Sequence, residues 1–136
     1  MATPLTAGAV ALVREYLRKR KKITNPTAAL LKATLIAGAT RLAGYGPASA
    51  VVDTHQGYGS VNLDAVLAPS APTNVRFNEG KPGLESGDIR AIQVKLKSGS
   101  APLRVVLAYS DYPGVSLVNN LKIDSPHSAC RQAPSQ

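Results

Sequence analysis

Asp53-Thr54-His55, with Ser49 and Ser60 a few positions away, collects the side-chain types of a Ser-His-Asp hydrolase in one stretch. Acyl transfer by such a set needs more than nearness in sequence. The serine must hydrogen-bond the histidine, the histidine must be oriented by the acid, and N–H donors must await the oxyanion. The stretch lies among Gly, Ala and Ser, so these residues are expected to be solvated loop positions. The carboxylates Asp53, Asp64, Asp111 and Asp124 are scattered and show no EF-hand spacing. Asp111 stands in a Ser110-to-Gly114 turn, where an aspartate usually caps its own backbone. Gly57-Tyr58-Gly59 lacks the later glycine and the lysine of a phosphate loop and is expected to make a tight turn. His127 and the single cysteine, Cys130, fall near the C-terminus. One cysteine excludes an intrachain disulfide and a cysteine-based metal site. These residues assign no catalytic, cofactor-binding or metal position.

The remaining chemically loaded segment is basic. Arg14, Arg18, Lys19, Arg20, Lys21 and Lys22 crowd together, within a chain of formal charge +8. Such a run attracts nucleic acid, an acidic surface or an acidic partner. It also suits the solvated C-terminal end of a helix, where cations complement the dipole. No aromatic platform or nucleic-acid motif accompanies it, so no nucleic-acid partner is expected. No apolar run approaches the ~20 residues of a membrane span, and no membrane partner is expected. No basic segment precedes the small, apolar first thirteen residues, so no signal peptide is expected and no location is assigned.

Two kinds of element must position these groups. Residues 1–22 read as a helix, apolar nearly all round in its first half and basic at its end. Pro4 is tolerated in a first turn. Asn25-Pro26 reads as N-cap and first residue of a second helix running to about Ala37, with Gly38 as its stop. A loop over 40–60 leads to a short helix over 61–67. Pro69 and Pro72 mark a linker. Beyond it the period changes. Ile92, Val94 and Leu96 alternate with Gln93, Lys95 and Lys97, and Leu103, Val105, Leu107 and Tyr109 read as a more buried strand. Val75-Arg76-Phe77 and Leu121-Lys122-Ile123 are shorter strand candidates. Some four strands are fewer than the about seven of a complete sandwich.

Three blocks of this sequence resemble subtilisin-like serine proteases. Met1-Ala2-Thr3-Pro4-Leu5-Thr6-Ala7-Gly8-Ala9-Val10-Ala11-Leu12 is similar to the helix that follows the nucleophile, entered there from Gly-Thr-Ser. Asn25-Pro26-Thr27-Ala28-Ala29-Leu30-Leu31-Lys32-Ala33, through Gly57-Tyr58-Gly59-Ser60-Val61-Asn62-Leu63, resembles the end of the catalytic domain. Pro102 to Gly114, with Leu117-Val118-Asn119-Asn120-Leu121, is similar to the β-sandwich that one branch carries after it. The resemblance implies an α+β fragment. Two helices and a short helix from the end of a subtilisin-like α/β domain (1–68) would be followed by a linker (69–73). A partial antiparallel β-sandwich (74–125) and a disordered tail (126–136) would complete it.

The implied parent activity is serine-type endopeptidase hydrolysis of peptide or protein substrates. The nucleophilic serine would sit immediately before Met1, with the acid, the histidine and the oxyanion asparagine further upstream. The chain alone is therefore expected to be inactive, with no catalytic residue of its own. Relatives are mostly secreted and often bind calcium, which makes Asp111 the residue to examine for an ion. Self-association through an uncovered apolar first helix is a further expectation. The alternative expectation is a non-catalytic module that binds protein or glycan through the β part and the basic helix end.

Overall fold

The computed structural model describes residues 1–46, 52–70, 73–96 and 103–124. Among them are three helices: α1 (Ala2–Lys19), α2 (Ala28–Gly38) and α3 (Asp64–Leu67). In α1, Val13 and Leu17 are fully buried, and together with Leu30 of α2 they form the core. Tyr16, Ile23, Leu31, Leu35, Leu63, Leu67 and Phe77 pack around that centre. The spacing Val13, Tyr16, Leu17 is the one-sided stripe that brings a helix against a neighbour. The first half of α1 was expected to be buried and is not: Leu5 is 76% and Leu12 54% exposed. No described residue covers that face, so only the second half of the helix is packed.

α1 ends earlier than the composition implied. Lys22 takes a left-handed φ of 61°, and the Ile23 N–H returns to the Leu17 carbonyl at 3.0 Å. This turn folds Ile23 back onto the core. The start of α2 is also corrected. Thr27, not Asn25, is the cap: its Oγ1 accepts the Leu30 N–H at 3.2 Å. Asn25 and Pro26 precede the helix, with Pro26 buried in the connection. Gly38 is the last residue of α2 rather than a left-handed stop. A Cβ there would press on the Asn62 carbonyl and the Val66 methyls, so glycine is what lets α2 meet α3. Thr40 and Ser60 close the intervening loop with paired backbone bonds of 2.9 and 2.8 Å.

The expected β-sandwich is not formed. Among the described residues there is no strand, and the two isolated bridges, Thr40 with Ser60 and Asp53 with Gly57, both lie in the helical half. The segments around Val75, Ile92, Val105 and Leu121 are irregular. The described residues are helix and coil, not α+β. Alternation only says which side chains share a face. A sheet also needs backbone partners along each edge and a second layer over the apolar face. Here Ile92, Val94 and Leu96 are 62, 45 and 54% exposed, so neither condition is met. Lys97, Pro102 and the 126–136 tail, with His127 and Cys130, lie outside the described residues.

The irregular segment is tied instead to α2, and at both ends. Glu79 Oε1 accepts the Thr27 N–H at 2.6 Å, beside the helix N-terminus. The Arg104 guanidinium donates to the Ala37 and Ala39 carbonyls at 2.8 and 2.9 Å, at the C-terminus. An acid at the positive end and a cation at the negative end both complement the helix dipole. Phe77 meets Tyr16 edge to face at 6.2 Å, and Lys21 Nζ stands 5.6 and 5.7 Å from the two ring centres. Such cation–π contacts contribute about 0.5–1 kcal/mol at exposed sites. The Tyr109 hydroxyl is buried with no hydrogen-bond partner among the described residues.

Candidate functional site

The loop between α2 and α3 is organised by Asp53. Its Oδ1 accepts the backbone N–H groups of His55 and Gln56, at 2.8 and 3.3 Å. Its Oδ2 faces the Arg41 guanidinium at 3.4 Å, and Arg41 also donates to the Tyr45 carbonyl at 2.7 Å. Gln56 completes the clasp: its Oε1 accepts the Leu42 N–H at 2.8 Å. Gly46 belongs to the same arrangement, because a Cβ there would collide with the Asp53 carboxylate. The His55 N–H holds the Asp53 carboxyl below the usual carboxylate range. Burial opposes that, and the Gln56 N–H, the imidazole and Arg41 add to it.

This geometry does not assemble a hydrolase triad. His55 is mostly exposed, and its Nδ1 lies 3.4 Å from Asp53 Oδ1 and 3.3 Å from Thr54 Oγ1. Ser60 spends its backbone on the Thr40 bridge and makes no hydrogen bond to His55. Ser49 lies outside the described residues. What remains is an Asx-type turn whose carboxylate organises a loop. The glycines of Gly57-Tyr58-Gly59 both take left-handed φ values, 59° and 109°, and Gly59 passes against the Thr40 backbone.

Asp111 plays a similar part in the C-terminal segment. Its Oδ2 accepts the Val118 N–H at 2.8 Å, and its Oδ1 accepts Asn119 N–H and Nδ2 at 3.1 and 2.7 Å. Burial pushes its carboxyl up, and these donors with the Tyr112 N–H outweigh burial and bring it below the ordinary range. The carboxylate thus closes the 111–119 loop on donors seven and eight residues away, beyond the Ser110-to-Gly114 turn it was expected to cap. Among the described residues no three His, Cys, Asp or Glu side chains converge as metal ligands. No helix there is long and apolar enough to cross a membrane.

Two features of α1 are chemically distinctive. Its N-terminus carries no acidic residue in the first turn and no side-chain cap from Met1. Its early N–H groups present uncompensated partial positive charge. Thr6 Oγ1 turns back to the Ala2 carbonyl at 3.1 Å rather than capping the end. At the other end, Arg14, Arg18, Lys19 and Lys22 line an open groove of about 680 Å³, with Ala11 and Thr24 at its margins. Glu15 borders it and pairs with Lys19, which lowers the Glu15 carboxyl through that hydrogen bond and charge. Among the described residues Arg14, Arg18 and Lys22 have no ion-pair partner.

Sequence reasoning found the cations and the turn aspartates. It missed Arg41, Gln56, Glu79 and Arg104, whose partners lie from four to 67 residues away. Only a hydrophobic neighbourhood around Arg104 set that position apart. Comparison with family models, with curated proteins and with solved structures found no match.

Proposed function

We propose that this chain is a segment of a subtilisin-like serine endopeptidase, comprising the helix that follows the nucleophile and the end of the catalytic domain. The observation that supports it is the Met1-to-Leu12 block, which folds as the first turns of an 18-residue helix with an uncapped N-terminus. An uncapped helix end is where a tetrahedral oxyanion gains from the dipole and the free N–H groups. In this reading the serine precedes Met1, and α1 positions it rigidly without taking part in proton transfer. The small residues Ala2, Ala7, Gly8, Ala9 and Ala11 would let other backbones approach the exposed face closely. Hydrolysis of a peptide bond would need the acid, the histidine and the serine together. In this reading all three lie upstream of Met1, and among the described residues the Asp53–His55 pair is not joined by a serine.

The test has two parts. Purified chain is incubated with a fluorogenic peptide, with and without a serine-directed inhibitor. No inhibitor-sensitive turnover is expected, and its appearance would sink the claim of inactivity. The coding sequence immediately before Met1 is then read. An in-frame Gly-Thr-Ser supports the assignment, and unrelated codons in the native transcript overturn it.

A further inference from the structure

The groove on the C-terminal half of α1 is unrelated to the end of the helix at which catalysis would be organised. Arg14 lies 13 residues from Met1, about 20 Å along the axis. We propose that this groove is a docking site for an extended acidic peptide segment of a partner protein, an assignment that does not rest on the protease reading.

Three observations carry it. The first is charge. Four cations and one acid line the groove, and among the described residues only Lys19 is neutralised, by Glu15. The like charges of Arg14 and Arg18 on α1 and of Lys22 just beyond its end repel one another, and an anionic occupant relieves that repulsion. The second is spacing. Arg14 and Arg18 stand one helical turn apart, a rise of about 6 Å, and Lys22 follows in the turn beyond the end of α1. Side chains on one face of an extended peptide recur every about 6.7 Å. Carboxylates at alternate positions of such a peptide therefore match the spacing of the two arginines. The third is the surface between the charges. Ala11 and the aliphatic stems of the arginines add apolar surface to the lining for the intervening side chains. No aromatic ring lines the groove, so a nucleobase finds no stacking platform. The nearest ring, that of Tyr16, is engaged by Phe77 and Lys21. Thr24 adds a hydroxyl for the peptide backbone at the far margin.

The experiment measures fluorescence anisotropy of a labelled peptide of alternating Glu and Ala, titrated with the full chain at low and at physiological ionic strength. Saturable binding of one peptide per chain is expected, weakening with salt. The variant Arg14→Glu/Arg18→Glu/Lys22→Glu should lose about tenfold or more in affinity. A control with the same charge change elsewhere, Lys32→Glu/Lys95→Glu/Lys122→Glu, should stay within about twofold at physiological salt. If the reversed variant loses helicity by circular dichroism, Arg14→Gln/Arg18→Gln/Lys22→Gln, which keeps helix propensity, replaces it. Equal loss in both triple variants would overturn the site, because net charge alone would then explain the binding. Tighter, groove-dependent binding of an oligothymidylate, or of phosphatidylserine vesicles, would reassign the groove to a phosphate-bearing partner.

Discussion

Residues 1–68 and residues 73–124 contain similar apolar side chains and use them differently. In the first region Val13, Leu17, Leu30 and Val66 are buried. In the second, Ile89 is 94% and Val115 110% exposed. The difference follows from where hydrogen-bond partners come from. A helix satisfies its backbone within its own segment, so a short apolar stripe is enough to dock it. An extended segment needs a second chain segment along each edge, and the described residues provide none. The first region is therefore a core with loops. The second is a strap, fixed at points by polar and aromatic contacts.

The most severe way to test this contrast is to cut into each region with the same change. Leu17→Ala should remove about 2–5 kcal/mol, enough to unfold a core this small. Leu96→Ala should change stability by less than about 0.5 kcal/mol. Urea titrations followed by circular dichroism would compare them, and similar losses would show that 89–96 packs after all.

Next in size is the strap's anchor at the end of α2. Arg104→Ala removes the guanidinium from the Ala37 and Ala39 carbonyls and should cost about 1 kcal/mol, given its exposure. Both bonds leave the single nitrogen Nη1, and Arg104→Lys should recover only part, because the lysine ammonium is more strongly hydrated and must be held at the same point by a flexible stem. Full recovery by lysine would reduce the anchor to simple charge attraction.

Lys22→Gly should act in the opposite direction. Lysine at a φ of 61° is strained where glycine is not, and relief should add up to about 1 kcal/mol, less the entropy glycine adds to the unfolded chain. A melting temperature that falls would mean the Lys22 side chain matters more to the helix end than its backbone.

The smallest effect is local and pH-dependent. The carboxyls of Asp53 and Glu79 are both held below their ordinary values. For Glu79 the Thr27 N–H is the largest cause, followed by Lys81. Depressed folded-state values mean their contributions are complete above the unfolded values of about 4. They are lost as pH falls through the lower folded ones. Protection factors for amide exchange at His55, Gln56 and Thr27 should fall on acidification while Leu17 stays protected. Asp53→Asn should remove the pH step in the loop and leave that at Thr27.

The same contrast explains what could be read from sequence. The helices were legible because their signals are local: Val13, Tyr16 and Leu17 one turn apart, and a basic end. The exact cap of α2 was not, since Asn25-Pro26 and Thr27 are all acceptable starts, and the Glu79 contact to the Thr27 N–H favours the last. The strands were misread because alternation at 89–96 specifies a face without naming a partner. At the candidate site, turn chemistry pointed to Asp111 as a backbone acceptor but not to Val118 and Asn119 as its donors. The Asp53 clasp did not, because Arg41 and Gln56 become its partners only when the loop closes.

The two attachments of the strap to α2 have a kinetic consequence. Glu79 and Arg104 grip opposite ends of a rod about 16 Å long, and the chain between them is a tether. While one grip holds, the tether keeps the other at high effective concentration, so a lost contact re-forms before the strap drifts away. A single proteolytic nick in the exposed stretch between Leu84 and Leu96 would end that protection. Each grip would then hold or fail on its own strength, and the strap would leave the helix in two separate steps.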